Sequence, residues 1–474
     1  MIFALPEIFL ALAAMALLGF GAARGDRALG VVSVLSVLAL AIAAGLAAWI
    51  PEGTGFGGAL IADPFARFVK FVLFGASAVS ICLAPSYLRR FAIGRVEYPV
   101  LILFATLGMS LMASAGDLLI LYLGLELQSL VLYVLAALRR DHASASEAGL
   151  KYFILGALAS ALLLFGLSLL YGFTGALGFD ALRAALSFAG KPASGALIGA
   201  VFAIVGIGFK LALVPFHLWA PDVYENVPTP VTAFFASSPK LAAFALLARL
   251  LMAPFAGLQA QLLPLLFALA AATMLAGGFG GLAQTRIKRL LAYSSIANMG
   301  AVLVGLAAGT PEGVAASLLY FVIYCAGTLG FFAVLLGLRR GGKSVEKLAD
   351  IAGLGRAQPW NAALAGLFLF SLAAVPPMAG FLGKYVVFLA GVRAGLLPLV
   401  LIGVLASVAS AGYYLRLVKI MFFDAADGEA FDPQDDKVLQ IVGCGMAVFL
   451  AFCVFVPTPF MEGARAAAQH LGIV

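Results

Sequence analysis

Stretches of about twenty apolar residues follow one another from one end of this chain to the other, separated only by short polar or Gly/Pro breaks. A run of that length spans a bilayer as a helix, because in hydrocarbon only a helix or a closed barrel satisfies every backbone N–H and C=O. A β-barrel is excluded, since its strands alternate polar and apolar residues and these runs are apolar on every side. Fourteen runs can be drawn, from 2–20 at the start to 438–457 near the end, with span 7 at 195–225 and span 12 at 359–390. The residues are 64% hydrophobic and 11% charged, against about 45–50% and 25% for a soluble domain. A soluble enzyme and a disordered chain are thereby excluded. No soluble domain is present, so redox or nucleotide chemistry is expected on partner chains.

Two short amphipathic pieces, 178–190 and 343–354, are expected to be helices lying at the membrane surface. The opening MIFALPEIF has no basic region and carries Glu7, which predicts a retained first span in place of a cleaved signal. Orientation follows from the basic residues. Eighteen of the 29 lysines and arginines fall in odd-numbered loops and four, Arg183, Lys191, Arg393 and Arg465, in even-numbered loops and tails. The positive-inside rule then puts the odd loops in the cytoplasm and both termini on the periplasmic side of a bacterial inner membrane. The net charge of +7 reads as topology and contact with anionic lipid, without nucleic acid.

Leu211-Ala-Leu-Val-Pro215 resembles Leu372-Ala-Ala-Val-Pro376, an offset of 161 residues, and Tyr152-Phe153-Ile154 resembles Tyr320-Phe321-Val322. Five spans separate each pair, and an odd number reverses the direction of crossing. The expected architecture is therefore an all-α polytopic protein of about 14 transmembrane helices with two inverted five-helix repeats, each containing a Pro-broken helix (spans 7 and 12). The segments are 1–97 (three helices), 98–255 (spans 4–8), 256–425 (spans 9–13) and 426–474 (span 14).

Ionisable residues inside such spans cost roughly 2.5–3.5 kcal/mol each on insertion scales and are functional candidates by default. Glu126 lies mid-span in Leu121-Tyr-Leu-Gly-Leu-Glu-Leu-Gln-Ser129 and is read as the only carboxylate deep in any span. Lys151 lies near the start of span 6, Lys210 five residues before Pro215, His217 just after that break, Lys240 directly after Pro239, and Lys384 beyond Pro376-Pro377. Burial destabilises a lysine's charge and a nearby carboxylate restores it, so a lysine with a movable partner is a proton switch. Glu126 is expected to pair with Lys210. Asp63, Arg67, Lys70 and Arg249 lie near span ends and are read as topological or structural. Gly337-Leu-Arg-Arg-Gly-Gly-Lys-Ser344 fits a phosphate-binding loop and Gly53-Thr-Gly-Phe-Gly-Gly58 a dinucleotide turn, but each sits beside a membrane span without an α/β domain. Cys82, Cys325, Cys444 and Cys453 have neither Cys-x-x-Cys nor ligand spacing and read as small buried hydrophobes.

The stretch FKLALVPFHLWAPDVYENVPTPVTAFFASSPK (209–240) and the stretch RIKRLLAYSSIAN (286–298) resemble two motifs of the antiporter-like membrane subunits of NADH–quinone oxidoreductase, respiratory complex I. GLELQS (124–129) is more similar to subunit N of that family than to M or L, Lys384 stands where subunit M has a glutamate, and the chain ends without the lateral helix of subunit L. The resemblance covers roughly 60–425. It implies proton translocation, with Glu126 paired to the central lysine Lys210, Lys151 modulating that pair, His217 and Lys240 bridging onward, and Lys384 on the exit side. It also implies no cofactor or metal in this chain, with NADH, FMN, iron–sulfur clusters and quinone on partner subunits. Asn298 stands where many relatives carry histidine, so a relay step there would use water. Two other readings are a subunit of a multisubunit Na⁺/H⁺ antiporter and a structural spacer. The Glu-Leu-Gln-Ser context disfavours the first, and the row of buried lysines disfavours the second.

Overall fold

A computed structural model of the chain describes residues 1–139, 141–188, 194–426, 429–433 and 436–471. Arg140 and Lys191, both used above for orientation, and the last two residues of the 178–190 piece lie outside the described residues.

Helices α1 (Leu5–Arg24) and α2 (Leu29–Trp49) are followed by a hairpin of β1 (Gly53–Gly55) and β2 (Leu60–Ala62). Next come α3 (Pro64–Leu83), α4 (Pro85–Arg90), α5 (Glu97–Ala113), α6 (Leu118–Ala136) and α7 (Ala143–Thr174). A short α8 (Phe179–Phe188) precedes a broken span, α9 (Ser194–Leu211) and α10 (Trp219–Asn226). The chain continues through α11 (Thr229–Phe235), α12 (Ser238–Met252), α13 (Gln259–Gly280), α14 (Ile287–Ala307) and α15 (Pro311–Gly337). A hairpin of β3 (Arg339–Arg340) and β4 (Lys343–Ser344) and the short α16 (Leu354–Ala357) lead to a second broken span, α17 (Pro359–Leu372) and α18 (Ala379–Arg393). The last helices are α19 (Leu397–Phe423), α20 (Lys437–Phe455) and α21 (Thr458–Gln469). Among the described residues twelve helical stretches are long and apolar enough to cross a membrane, and α5 and α17 are shorter apolar helices. Each of the fourteen runs read from the sequence falls on one of them.

Composition does not separate lipid-facing from core helices here, because both are apolar all round. Packing does. Helices α12, α14 and α15 are enclosed on almost every side, while α1, α7, α19 and α20 turn many apolar side chains outward. Helix α15 packs against α3, α11, α14, α17, α18, α20 and α21, and α12 against α3, α5, α9 and α11. Small residues permit the closest approaches: a methyl placed on Gly166 of α7 would stand 2.7 Å from the carbonyl oxygen of Gly199 on α9.

The two breaks are built alike. Ala212 and Ala374 both adopt φ +57°, a left-handed conformation uncommon outside glycine. Leu213 N–H reaches Gly208 O and Ala212 N–H reaches Phe209 O, while Val375 and Ala374 make the same two bonds to Phe370 and Ser371. Ala212 thus corresponds to Ala374 at an offset of 162 residues, one more than the 161 read from the motif letters. Each left-handed residue is followed by a cis peptide bond, Val214–Pro215 and Pro376–Pro377.

One expectation fails. Residues 343–354 are not an amphipathic helix. Gly341 and Gly342, at φ +53° and +76°, turn the chain into the β3–β4 hairpin, and Asp350 then accepts from the amides of Glu346 and Lys347 and starts a 3₁₀ turn at Leu348–Ile351. Within the phosphate-loop look-alike, the Gly342 amide donates to Asp432.

Candidate functional site: a row of buried lysines joined by hydroxyls and rings

Lys210, Lys240 and Lys384 are each at most 5% exposed. Among the described residues none of the three has a carboxylate within ion-pair distance; the lysines that do are Lys70, Lys151 and Lys419. A buried ammonium without a counter-charge is expensive, and these three are held by hydroxyls and aromatic faces.

Lys210 lies in the last turn of α9, just before the break. Its Nζ donates to the Tyr133 hydroxyl at 3.3 Å and stands 5.1, 5.7 and 5.5 Å from the ring centres of Tyr133, Tyr152 and Phe209. The expected contact with Glu126 is not made. Glu126 Oε1 is buried without a hydrogen-bond partner. Tyr133 stands seven residues after Glu126, two turns along the same face of α6, so it takes the position nearest the lysine. The backbone freed by the break is satisfied locally: the Trp219 indole N–H donates to Phe209 O at 2.9 Å, and Val214 N–H to Thr273 Oγ1 at 2.9 Å. His217 lies within the break, half-buried, with Nδ1 unpartnered.

Aromatic rings connect Lys210 to Lys240. Tyr152 stacks on Trp219 with centres 4.5 Å apart, Trp219 meets Tyr224 edge-on at 6.1 Å, and Lys240 Nζ lies 5.6 Å from the Tyr224 ring centre. Lys240 sits in the first turn of α12, two residues after Ser238, which opens the helix behind its N-cap Ser237. Its Nζ donates to Ser295 Oγ at 2.6 Å, and Tyr324 O–H donates to the same oxygen at 2.7 Å. One turn on, Tyr320 O–H donates to Asn298 Oδ1 at 2.7 Å, leaving Asn298 Nδ2 without a partner. Ser294 bonds the Tyr414 hydroxyl of α19. Two turns back along α19, Ser407 Oγ accepts from Lys384 Nζ at 3.4 Å. Lys384 and Ser407 line a cavity of about 550 Å³ that begins at the second break, at Ala374 and Pro376.

Lys151 is not in this row. Its side chain is about half exposed and pairs with Glu147 at 2.8 Å and Asp222 at 3.4 Å. From there the signs alternate: Asp222 with Arg289 at 2.7 Å, Arg289 with Glu225 at 3.0 Å, Glu225 with Arg286 at 3.1 Å, and Arg286 with Glu346 at 3.6 Å. The two motifs singled out in the sequence, around 221–226 and 286–289, thus lock to each other at one end of the bundle.

Sequence reasoning missed Tyr133, Ser295, Tyr324 and Tyr320, because serine and tyrosine are ordinary in apolar helices. It also passed over Glu7, in the first turn of α1, which is 4% exposed and pairs with Lys70 at 2.6 Å. Asp63 and Arg249 form a buried two-pronged pair at 2.8 and 2.9 Å, in keeping with a structural part. Among the described residues no group of three or more His, Cys, Asp or Glu side chains could hold a metal ion.

Residues 115–410 match the sequence profile of the family described as NADH:quinone oxidoreductase/Mrp antiporter, TM. The chain is similar to the NADH-quinone oxidoreductase subunit N of Rhodospirillum rubrum, 48% identical over 99% of this chain and 97% of that one. It is also similar to the subunit N of Paramagnetospirillum magneticum, 50% identical over 98% and 97%. A chain of respiratory complex I from Thermus thermophilus with bound aureothin matches with TM-score 0.83, at 33% identity over 97% of this chain and 99% of that one. A chain of the Mrp complex from Dietzia sp. shares the fold, with TM-score 0.87 at 21% identity over 99% and 97%.

Proposed function

Because this chain belongs to the NADH:quinone oxidoreductase/Mrp antiporter family of membrane subunits, we propose that it carries protons through the row Lys210, Lys240 and Lys384. It is a proton-translocating, antiporter-like subunit of NADH–quinone oxidoreductase, and its partners are the other subunits of that complex. The observation that carries the relay is the set of three lysines buried without carboxylate partners and bridged by Tyr133, the Tyr152–Trp219–Tyr224 rings and the Ser295–Tyr324 hydroxyls.

A lysine in such a place holds a proton only while something nearby favours its charge. Glu126 stands on α6, the helix whose Tyr133 holds Lys210, so a small movement of α6 would change which lysine is charged. Hydroxyls suit the links because each both accepts and donates a proton. His217, beside the break, and Asn298, with a free amide, mark places where water completes the row. Lys151 acts at a distance: it fixes Asp222 on α10, the helix that follows the Lys210 break.

The two halves, 98–255 and 256–425, are read as inverted repeats, and the matching backbone at the two breaks supports this. The distribution of basic residues supports both termini on the periplasmic side of the inner membrane, with the Lys151–Glu346 ion-pair chain on the cytoplasmic side. NADH, FMN, iron–sulfur clusters and quinone are assigned to partner subunits. Exchange of Na⁺ for H⁺ in a separate antiporter is the second reading, since the matching family includes Mrp antiporters.

In the assembled complex, Lys210→Ala and Glu126→Ala are each expected to lower NADH-driven proton pumping far more than they lower assembly. Normal pumping in both would remove the relay. Sodium-dependent transport without NADH would move the reading to the antiporter.

A further inference from the structure

Outside the lysine row, one cluster of buried titratable groups has no part in the relay described so far. Glu7 of α1 and Lys70 of α3 form an ion pair with both side chains 5% exposed. Ser110 of α5 donates to Glu7 Oε1 at 2.5 Å, while Glu7 Oε2 is buried without a partner. A structural pair in hydrocarbon is expected to satisfy its remaining oxygen, because an orphaned carboxylate oxygen is costly.

The pair stands at one end of a column of hydroxyls. Four residues before Ser110, on the same face of α5, is Thr106. Its single hydroxyl proton lies within reach of Ile102 O at 2.7 Å and of Ser77 Oγ at 3.0 Å, so rotation switches it between the two. Ser77, two turns along α3 from Lys70, donates to Ser238 Oγ at 3.3 Å. Ser238 opens α12, two residues before Lys240. Ser77, Thr106, Ser110 and Ser238 are all fully buried. Four hydroxyls gathered on three helices, in a bundle this apolar, lead from the start of α12, two residues before Lys240, to the pair.

On its Lys70 side the pair borders a narrow cleft. The cleft, lined by Pro6, Ile50, Asp63, Arg67 and Lys70, has about 20 Å³ of free space, enough for one water. Arg67 and Glu52 stand partly exposed at 4.0 Å from each other beside it.

We propose that Glu7 and Lys70 form a proton-exchange station at the end of a branch that leaves the lysine row at the start of α12, water carrying the proton from Lys240 to Ser238, and runs through Ser77, Thr106 and Ser110 to the face of the bundle that bears the N-terminus. The inference rests on the relay proposed above and adds an exit to it. In the final step the Ser110 O–H bond breaks as a bond forms from that proton to Glu7 Oε1. Ser110 regains a proton from the Thr106 side through water bridging one helical turn. Lys70, which lines the cleft, gives a proton to its water and regains one from Glu7, now a carboxylic acid, so the Glu7–Lys70 ion pair is restored. One proton enters the branch for each that leaves.

The test is the double substitution Glu7→Gln with Lys70→Met in the whole complex, in sealed vesicles. The neutral pair keeps the volume and removes both titratable groups. Proton transfer through this chain is expected to fall about tenfold, less than the ~10²–10⁴-fold contribution of a positioned acid–base group because cleft water replaces part of it, and NADH-driven acidification falls by most of the share this chain carries. NADH oxidation by an artificial acceptor, which reads the partner subunits alone, stays unchanged. Normal acidification, in a preparation where Lys210→Ala lowers it, would overturn the exit branch and leave the relay standing. Normal acidification in both would remove the relay as well. If the double variant does not assemble, Ser110→Ala decides by the same readout: reduced acidification supports the branch and normal acidification overturns it.

Discussion

Lys240→Met in the assembled complex is expected to slow proton transfer through this chain by about 10²-fold or more, the contribution of a positioned proton carrier, so that NADH-driven acidification falls by nearly the whole share this chain carries. Three features make Lys240 the most sensitive position. It is 1% exposed, so bulk water does not replace it. It joins the two halves, with the Tyr224 ring on one side and Ser295 on the other. Its hydrogen bond to Ser295 is the shortest made by any of the three lysines in the row. Methionine keeps the length and apolar stem, so α12 packs as before and the helices around it stay in place. The measurement is acidification of sealed vesicles by NADH, beside NADH oxidation by an artificial acceptor, which is expected to be unaffected.

The second large effect is on assembly. Arg249→Ala removes the cation that binds both oxygens of Asp63 and the carbonyl oxygen of Ala113. It leaves a buried carboxylate that still caps α3 through the Ala66 amide. Breaking such a pair from one side costs about 3–5 kcal/mol, because the remaining charge stays buried and unpaired. The contact ties α12 to the start of α3 and the end of α5, so these three helices are expected to loosen together. Thermal melting of the detergent-solubilised complex checks it: a fall in Tm with less assembled complex is expected for Arg249→Ala, and a much smaller fall for alanine at the exposed Arg95, which pairs with Asp26.

The spans were legible in the sequence because hydrocarbon admits few ways of satisfying a backbone, and apolar runs of the right length reveal the helices. The breaks were legible from Pro215 and Pro376, although the letters misplaced their correspondence by one residue. The backbone of the two breaks matches at Ala212 and Ala374 instead, and alanine carries no sign of a left-handed turn. Lys210, Lys240 and Lys384 were legible because a charge inside an apolar run is costly and stands out against its neighbours. Their partners were not. A carboxylate was the natural expectation for Lys210, yet Tyr133 takes that place, since a long helix offers the lysine whatever stands one or two turns away. Lys151 was placed with the lysine row because position along a span does not say which way a side chain faces; it faces Glu147 and Asp222. Glu7 was passed over for lying near the N-terminus, where burial depends on how α1, α3 and α5 meet. Residues 343–354 show helical spacing, but two adjacent glycines and Asp350 impose a hairpin and a tight turn.

The most direct measurement is NADH-driven acidification of sealed vesicles carrying the complex with Lys210, Lys240 and Lys384 all replaced by methionine, set against the unaltered complex at equal NADH oxidation by an artificial acceptor. Acidification reduced by the share this chain carries is the expected result. Acidification at the unaltered rate would contradict proton transfer through the buried lysines.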